Sequence, residues 1–396
     1  MESAVSASGV ESAVSASGVE SAVSASGVES AVSASGVQSV VSAYDAVLLL
    51  GFGGPEGQDD VIPFLRNVTR GRGIPEARLE AVATHYRARG GVSPVNEQNR
   101  TLKAALETEI AGRGLDLPVY WGNRNWTPFL GDTVAEAVAA GHTRLLALTT
   151  SAYSSYSSCR QYREDLAEAA AQTGLAGRVS IDAVRPYFDH PGFVTPFIDG
   201  LRAALADLAG RHFATADTHI LFTTHSIPSA DAAASGPRDK PLGPGGAYEA
   251  QHRAVASAIM AALPAGPRPD WSLAFQSRSG PVGMPWLEPD VNDAIAAWAD
   301  RGGTAVVVVP LGFISDHMEV IWDLDTEAAA TAAALGLAFL RVPTPGLHPA
   351  FVAGLVDLLL ERIPTGKTPV RAAVTALGPW RDVCSPGCCE KAAARR

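Results

Sequence analysis

A chain of 396 residues, 47% of them apolar and with a formal charge of −10, has material for sizeable cores and predicts two domains. The acidic balance argues against a nucleic-acid partner, and no apolar run is long enough to span a bilayer. Its four cysteines, in a sequence that reads without a secretory signal, predict a reducing cytoplasmic setting, where metal or cluster ligation outranks disulfides.

After Met1 the nonapeptide ESAVSASGV occurs four times without a break, and Gln38 to Ala43 begins a degenerate fifth copy. Its apolar residues are Ala and Val only. Such a segment buries little surface against roughly 1–2 kcal/mol per residue of backbone ordering, so residues 1–43 are expected to be a disordered tail. Strand-like runs follow at Ala46 to Leu50, Pro118 to Trp121, Leu145 to Thr149 and Val179 to Val184, with helical patterns at Asp132 to Ala140 and Arg160 to Ala171. A second set comprises His219 to Thr223, Leu273 to Gln276, Ala305 to Pro310 and Leu337 to Arg341. Helical patterns around Thr195 to Leu208, Ala247 to Leu263 and Pro289 to Ala299 separate these. The alternation predicts an α/β protein with two doubly wound, Rossmann-like domains, each with a four-stranded parallel sheet, over residues 44–185 and 186–365, and a C-terminal tail over 366–396. In such folds ligands sit beyond the carboxyl ends of the strands, so a cleft between the domains would be lined by both sets of ends. The loop Gly51-Phe52-Gly53-Gly54-Pro55 is not a dinucleotide fingerprint.

The most informative stretch is GFISDHMEVIWDLDTE, Gly312 to Glu327, directly after the apolar run Ala305 to Pro310. Glu319, Asp323 and Glu327 are spaced i, i+4, i+8, which puts them along one helix face. No Lys or Arg occurs between Arg301 and Arg341, so the ladder has no local counter-charge and suits a hard cation. The plain alternative is a capping box of Asp316 with Glu319 followed by a solvated acidic face. At other strand ends stand Thr224-His225-Ser226-Ile227-Pro228, then Ser277-Arg278-Ser279-Gly280 with Trp286-Leu287-Glu288-Pro289-Asp290. The first half offers Arg70 and Arg72 in Val68-Thr69-Arg70-Gly71-Arg72-Gly73, a pair suited to clamping carboxylates, and Ser93 in Gly90-Gly91-Val92-Ser93-Pro94.

Together GFGGP, VTRGRG, GGVSP, TTHSIP, QSRSG with WLEPDV, and PLGFISDHMEVIWDLDTE resemble the ferrochelatase family, in order and spacing, over about Ala46 to Pro343. The resemblance implies a chelatase-like fold with a tetrapyrrole cleft and an enzyme that inserts Fe²⁺ into a porphyrin in haem biosynthesis. It assigns catalysis to His225 and the facing Glu319, and a metal path to His225, Glu319, Asp323 and Glu327. Phe52, Arg70, Arg72, Ser93 and Tyr156 become porphyrin-contacting positions. Some bacterial relatives carry tyrosine where Phe52 stands, so no phenolate would ligate the inserted iron here. The residue chemistry agrees: a histidine in an apolar cleft stays neutral and serves as a base, while a carboxylate across the ring accepts a proton or hands on the metal.

Cys384, Cys388 and Cys389 place three thiols within six residues of the C-terminal tail, and Cys159 follows the strand at Leu145 to Thr149. Four thiolates fit a [2Fe–2S] cluster or structural zinc equally well by spacing. The pattern is similar to that of actinobacterial-type ferrochelatases, which implies a [2Fe–2S] cluster and coproporphyrin III, rather than protoporphyrin IX, as substrate. A cytoplasmic monomer without a membrane segment is expected. Two rival readings are a cobalt or nickel chelatase, which would use paired histidines where only His225 is expected, and a non-catalytic haem carrier or iron–sulfur sensor.

Overall fold

A computed structural model describes residues 43–71, 73–279, 283–364 and 368–392. The nonapeptide repeats and Arg72 lie outside the described residues. The first half contains β1 (Ala46–Gly51), α1 (Val61–Val68), α2 (Glu76–Arg87), α3 (Val95–Gly112), β2 (Val119–Asn123), α4 (Leu130–Ala139), β3 (Arg144–Thr149), α5 (Gln161–Gln172) and β4 (Ser180–Ala183). The second contains α6 (Pro191–Gly210), β5 (Thr218–His225), α7 (Ser229–Ala233), α8 (Gly246–Ala261), β6 (Asp270–Gln276), α9 (Val291–Asp300), β7 (Ala305–Val309), α10 (Met318–Val320), α11 (Ala329–Ala334), β8 (Ala338–Arg341) and α12 (Pro349–Leu360). The expected boundary at 185/186 falls between β4 and α6.

The expected fold class is what the chain adopts. Two four-stranded sheets run β2-β1-β3-β4 and β6-β5-β7-β8, every pairing parallel. Parallel sheets covered on both faces read as continuous apolar runs, and β1 and β7 are buried at every position. In each sheet the chain switches direction beside its first strand, which opens a crevice between β1 and β3 and another between β5 and β7.

The packing explains how the halves are joined. One continuous core runs through both: Val47, Leu49, Leu146 and Leu148 of the first sheet join Phe222, Val307 and Val309 of the second through Phe193 and Phe197 of α6 and Phe351 and Leu355 of α12. The opposite face of each sheet has its own core, under α4 and α5 in the first and under α9 and α11 in the second. Helices α6 and α12 cross so closely that a Cβ on Gly192 would lie 2.5 Å from the carbonyl of Ala350; only glycine permits that approach. Among the helices not anticipated from the sequence are α1, α2, α3 and α12. Helices α2 and α3 are polar over much of their surface and α12 is apolar nearly all round, so none of these displays the one-sided stripe that marks a helix in a sequence. Helix α1 has such a stripe over only eight residues.

The C-terminal tail docks instead of fraying. Trp380 is buried against Phe188 with ring centroids 5.6 Å apart, and its amide donates to Asp189 Oδ2 at 2.9 Å. Arg185, fully buried, pairs with Asp189 and with Glu361 and donates to the Ala372 carbonyl at 2.9 Å. Burying a guanidinium is costly unless its donors are satisfied, so this node fixes the path of the tail.

Candidate active site

His225 is the last residue of β5, and the segment carrying Glu319 leaves the end of β7. These strands are neighbours in the sheet, with Phe222 opposite Val309, so the switch-point crevice brings together residues far apart in sequence. Gly312 makes the approach possible: its amide donates to the Thr223 carbonyl at 3.0 Å, and a Cβ there would sit 2.1 Å from Thr224 Oγ1. His225 Nδ1 donates to the Ser226 carbonyl, which leaves Nε2 as the basic nitrogen. That Nε2 lies 3.6 Å from Glu319 Oε2, the His225 side chain being 31% exposed.

The structure adds a second imidazole. His317 Nδ1 stands 4.0 Å from the same Glu319 oxygen, its ring edge-on to Phe313, and burial holds its pKa below the usual histidine value. The expectation of a lone histidine at this position is therefore corrected. The signal was present as the His two residues before Glu319, but an isolated imidazole in a loop carries no pattern.

The capping-box alternative fails. Asp316 does not cap the helix; His317 holds the N-cap position without a side-chain cap bond. Asp316 instead takes a two-pronged ion pair from Arg341, both contacts at 3.1 Å, and a hydrogen bond from Thr344. Arg341 also pairs with Asp325 at 2.5 Å. Arg341 is thus committed to the aspartates off the ladder, and the ion-pair partners of Glu319 among the described residues are the two histidines.

Beyond Val320 the helix is wound with π-type hydrogen bonding over Ile321–Ala328, a departure that recurs at functional sites. Asp323 accepts from Ser277 Oγ and, at 3.4 Å, from Gln276 Nε2. Burial, with Glu319 and Glu327 adding repulsion, pushes its carboxyl up to about 7 despite the Ser277 hydrogen bond. Ser277 sits at φ 63, a strained conformation for a residue with a side chain, and this turn after β6 is what aims its hydroxyl at Asp323. Glu327 accepts from Trp322 Nε1 at 2.8 Å, and Trp322 stacks on His85 of α2 at 4.3 Å and 8°. Met318 enters a core with Val61, Phe64 and Tyr86 of the α1–α2 pair. The ladder is thereby roofed by helices from the first half, and the phenol of buried Tyr86 is held up by burial and then by Glu319 and Asp323.

The first-half positions are placed as follows. Phe52, 41% exposed, leaves β1 and packs edge-on to Phe64 with centroids 6.3 Å apart. Arg70 follows α1 and donates to Asn67 Oδ1 at 2.7 Å. Ser93 is buried beneath Gly54, where a Cβ would lie 2.7 Å from the Ser93 Cβ. Tyr156, after β3, donates to Glu164 at 3.1 Å and lies under Lys391 of the tail.

The four cysteines converge. Cys159 is within hydrogen-bonding reach of Cys384 and Cys389, and Cys388 of the same two. The close thiols hold Cys384 and Cys389 down and push Cys159 and Cys388 up, and Cys159 Sγ donates to the Ser155 carbonyl at 3.3 Å. Cys388 Sγ and Cys389 Sγ are 3.7 Å apart, close to the edge of about 3.75 Å for a tetrahedron of sulfurs around a metal at roughly 2.3 Å. Cys389 has φ 54 and accepts from the Gly236 amide at 3.1 Å. The sulfurs touch one another, and among the described residues no group of three or more His, Cys, Asp or Glu side chains is arranged so as to hold a metal ion. The donor set fits a thiolate-bound metal or cluster once the thiols part around it.

The match to the ferrochelatase family model covers residues 44–363, both sheets and the whole cleft. The fold and the site therefore define a metal chelatase of the two-sheet α/β class. Coproporphyrin III ferrochelatase of Leifsonia xyli subsp. xyli is 61% identical over 357 residues, 88% of this chain and 91% of that protein. The protein of that name from Streptomyces griseus is 54% identical over 87% of this chain and 93% of its own. Among solved structures, SirB from Bacillus subtilis with Fe³⁺ aligns with a TM-score of 0.47 at 12% identity, over 81% of this chain and 96% of its own. The chain belongs to the ferrochelatase family, and it is an enzyme, a ferrochelatase.

Proposed function

We propose that this ferrochelatase inserts Fe²⁺ into coproporphyrin III, with His225 taking pyrrole protons and Glu319, beside it, accepting a proton or handing on the metal. The observation that carries the chemistry is the 3.6 Å approach of His225 Nε2 to Glu319 Oε2, with no Lys or Arg among the described residues pairing with that carboxylate. A neutral imidazole with its Nδ1 proton engaged presents one basic nitrogen to the ring, and His317 offers a second acceptor beside the same carboxylate. Asp323 and Glu327 lead outward from Glu319 and replace the water of the incoming iron with oxygen ligands suited to a hard cation. Substrate choice is supported by the relatives named coproporphyrin III ferrochelatase at 61% and 54% identity. Phe52, Arg70, Arg72, Ser93 and Tyr156 contact the porphyrin in this reading, the arginines on its propionates.

The thiols of Cys159, Cys384, Cys388 and Cys389 would hold a [2Fe–2S] cluster. Its contribution is metal-linked ordering of the tail, and proton removal belongs to the cleft residues. A cytoplasmic setting agrees with the free thiols and with the lack, among the described residues, of a helix long and apolar enough to cross a membrane.

Anaerobic Fe²⁺ insertion followed by absorbance, with coproporphyrin III and protoporphyrin IX side by side, tests the reading. A higher kcat/KM with coproporphyrin III is expected. Preference for protoporphyrin IX would reassign the substrate, and haem binding without insertion of either would make the protein a carrier.

A further inference from the structure

His225 and Glu319 stand on separate strand ends, and two buried tyrosines hold those ends. Tyr248 of α8 donates its hydroxyl to the His225 carbonyl at 2.8 Å and pairs with Thr224 Oγ1 at 2.8 Å. Tyr153, in the loop after β3 of the other half, donates to the Leu311 carbonyl at 3.1 Å. Leu311 immediately precedes Gly312 at the head of the Glu319 segment.

The two tyrosines meet at one ring. His252 stacks on Tyr153 with centroids 3.6 Å apart and 12° between planes, and meets Tyr248 edge-on at 4.6 Å. His252 Nδ1 donates to the Tyr248 carbonyl at 2.7 Å. The adjacent residues tie the same two segments: the Ser154 amide donates to Gln251 Oε1 at 2.8 Å, and Gln251 Nε2 to Ser154 Oγ at 2.9 Å. All three rings are buried, Tyr153 at 2%, Tyr248 at 5% and His252 at 0% exposure, so none contacts substrate. Burial pushes both phenols up and His252 down to about 3, so the phenols remain donors and the ring remains neutral near pH 7.

We infer that Tyr248 and Tyr153 are positioning residues for metal insertion: joined through His252, they form a brace across the two halves that sets the separation of His225 from Glu319. The inference rests on the roles proposed for that pair. A hydroxyl on a backbone carbonyl locates a strand end without touching the reacting atoms, and a rigid aromatic contact transmits the position of one half to the other. The brace also stands beside the thiols. Tyr153 lies six residues before Cys159 on the segment between β3 and α5. The Tyr248 amide donates to Ser235 Oγ at 2.8 Å, and the next residue, Gly236, is the one that donates to Cys389 Sγ.

Tyr248→Phe and Tyr153→Phe keep the rings and remove one hydroxyl each. Both variants should lower kcat about three- to tenfold, the worth of one hydrogen bond, and leave the porphyrin KM unchanged. In Tyr248→Phe the His225 side-chain resonance should also move in proton–nitrogen correlation spectra. The double variant should lose less than the product of the single losses, because both hydroxyls act on one separation. A lowered melting temperature with kcat and the His225 resonance at wild-type values would overturn the inference and leave the tyrosines as core packing. If the resonance moves while kcat stays, and His225→Ala also keeps its turnover, the brace stands and the proposed base falls. Tyr153→Phe tests the brace from the opposite half should Tyr248→Phe fail to fold.

Discussion

The two sheets share one strand order and differ in what stands at their carboxyl ends. In the second sheet the neighbours β5 and β7 end in ionisable groups, His225, His317 and Glu319, with Asp323 one step further out. In the first, Phe52 and Tyr156 follow β1 and β3 and Arg70 follows α1, groups that pack or form hydrogen bonds. Equal topology with unequal loops separates what the scaffold supplies, a crevice at the switch point, from what the side chains supply. It predicts that substitutions of the ionisable groups on the second sheet act on turnover and those of the porphyrin-facing groups on the first act on binding. Tyr153, which holds Leu311 of the second half, goes with turnover.

The largest effect should come from the second sheet. His225→Ala should cut kcat by about 10²–10⁴-fold, the usual cost of losing a general base, with porphyrin affinity intact. Glu319→Gln should do nearly the same at constant shape. Stopped-flow insertion with fluorescence titration of porphyrin binding separates the two quantities, and a near wild-type kcat in either variant would break the division between the sheets. On the first sheet, Arg70→Ala should raise the porphyrin KM about tenfold with kcat nearly unchanged, the pattern of lost uniform binding. A fall in kcat alone would place Arg70 with the catalytic set.

The thiols join the halves, so they test the comparison through stability. Cys159→Ser should bleach the visible absorption of the anaerobically purified protein and lower its melting temperature by about 5 °C or more. Stoichiometric zinc without acid-labile sulfide would replace the cluster by a structural zinc. An unchanged spectrum would remove Cys159 from the ligand set.

The smallest effect concerns Asp323. Its folded pKa, about 7, is raised above the unfolded value, so between about pH 4 and 7 the folded state binds more protons than the unfolded one. Stability from this group is present at low pH and lost as pH rises through about 7. In the metal-free protein, Asp323→Asn should flatten the fall in urea midpoint between about pH 5 and pH 8. An identical slope in both proteins would show that Asp323 titrates normally.

Local pattern was enough for the fold class and the chemistry. Buried parallel strands announce themselves as apolar runs such as Ala305 to Pro310, and the i, i+4, i+8 carboxylates were visible because spacing along a helix is a property of sequence alone. Tertiary structure decided which ends meet. The pairing of β5 with β7 put His225 beside Glu319, while other tertiary contacts committed Arg341 to Asp316 and Asp325 and left the ladder uncompensated, and drew Ser277 and Tyr86 to the site. It also gathered Cys159 with the three tail cysteines. Strand order, partner choice and burial depend on contacts between distant segments. A residue's own neighbours in the chain carry no record of them.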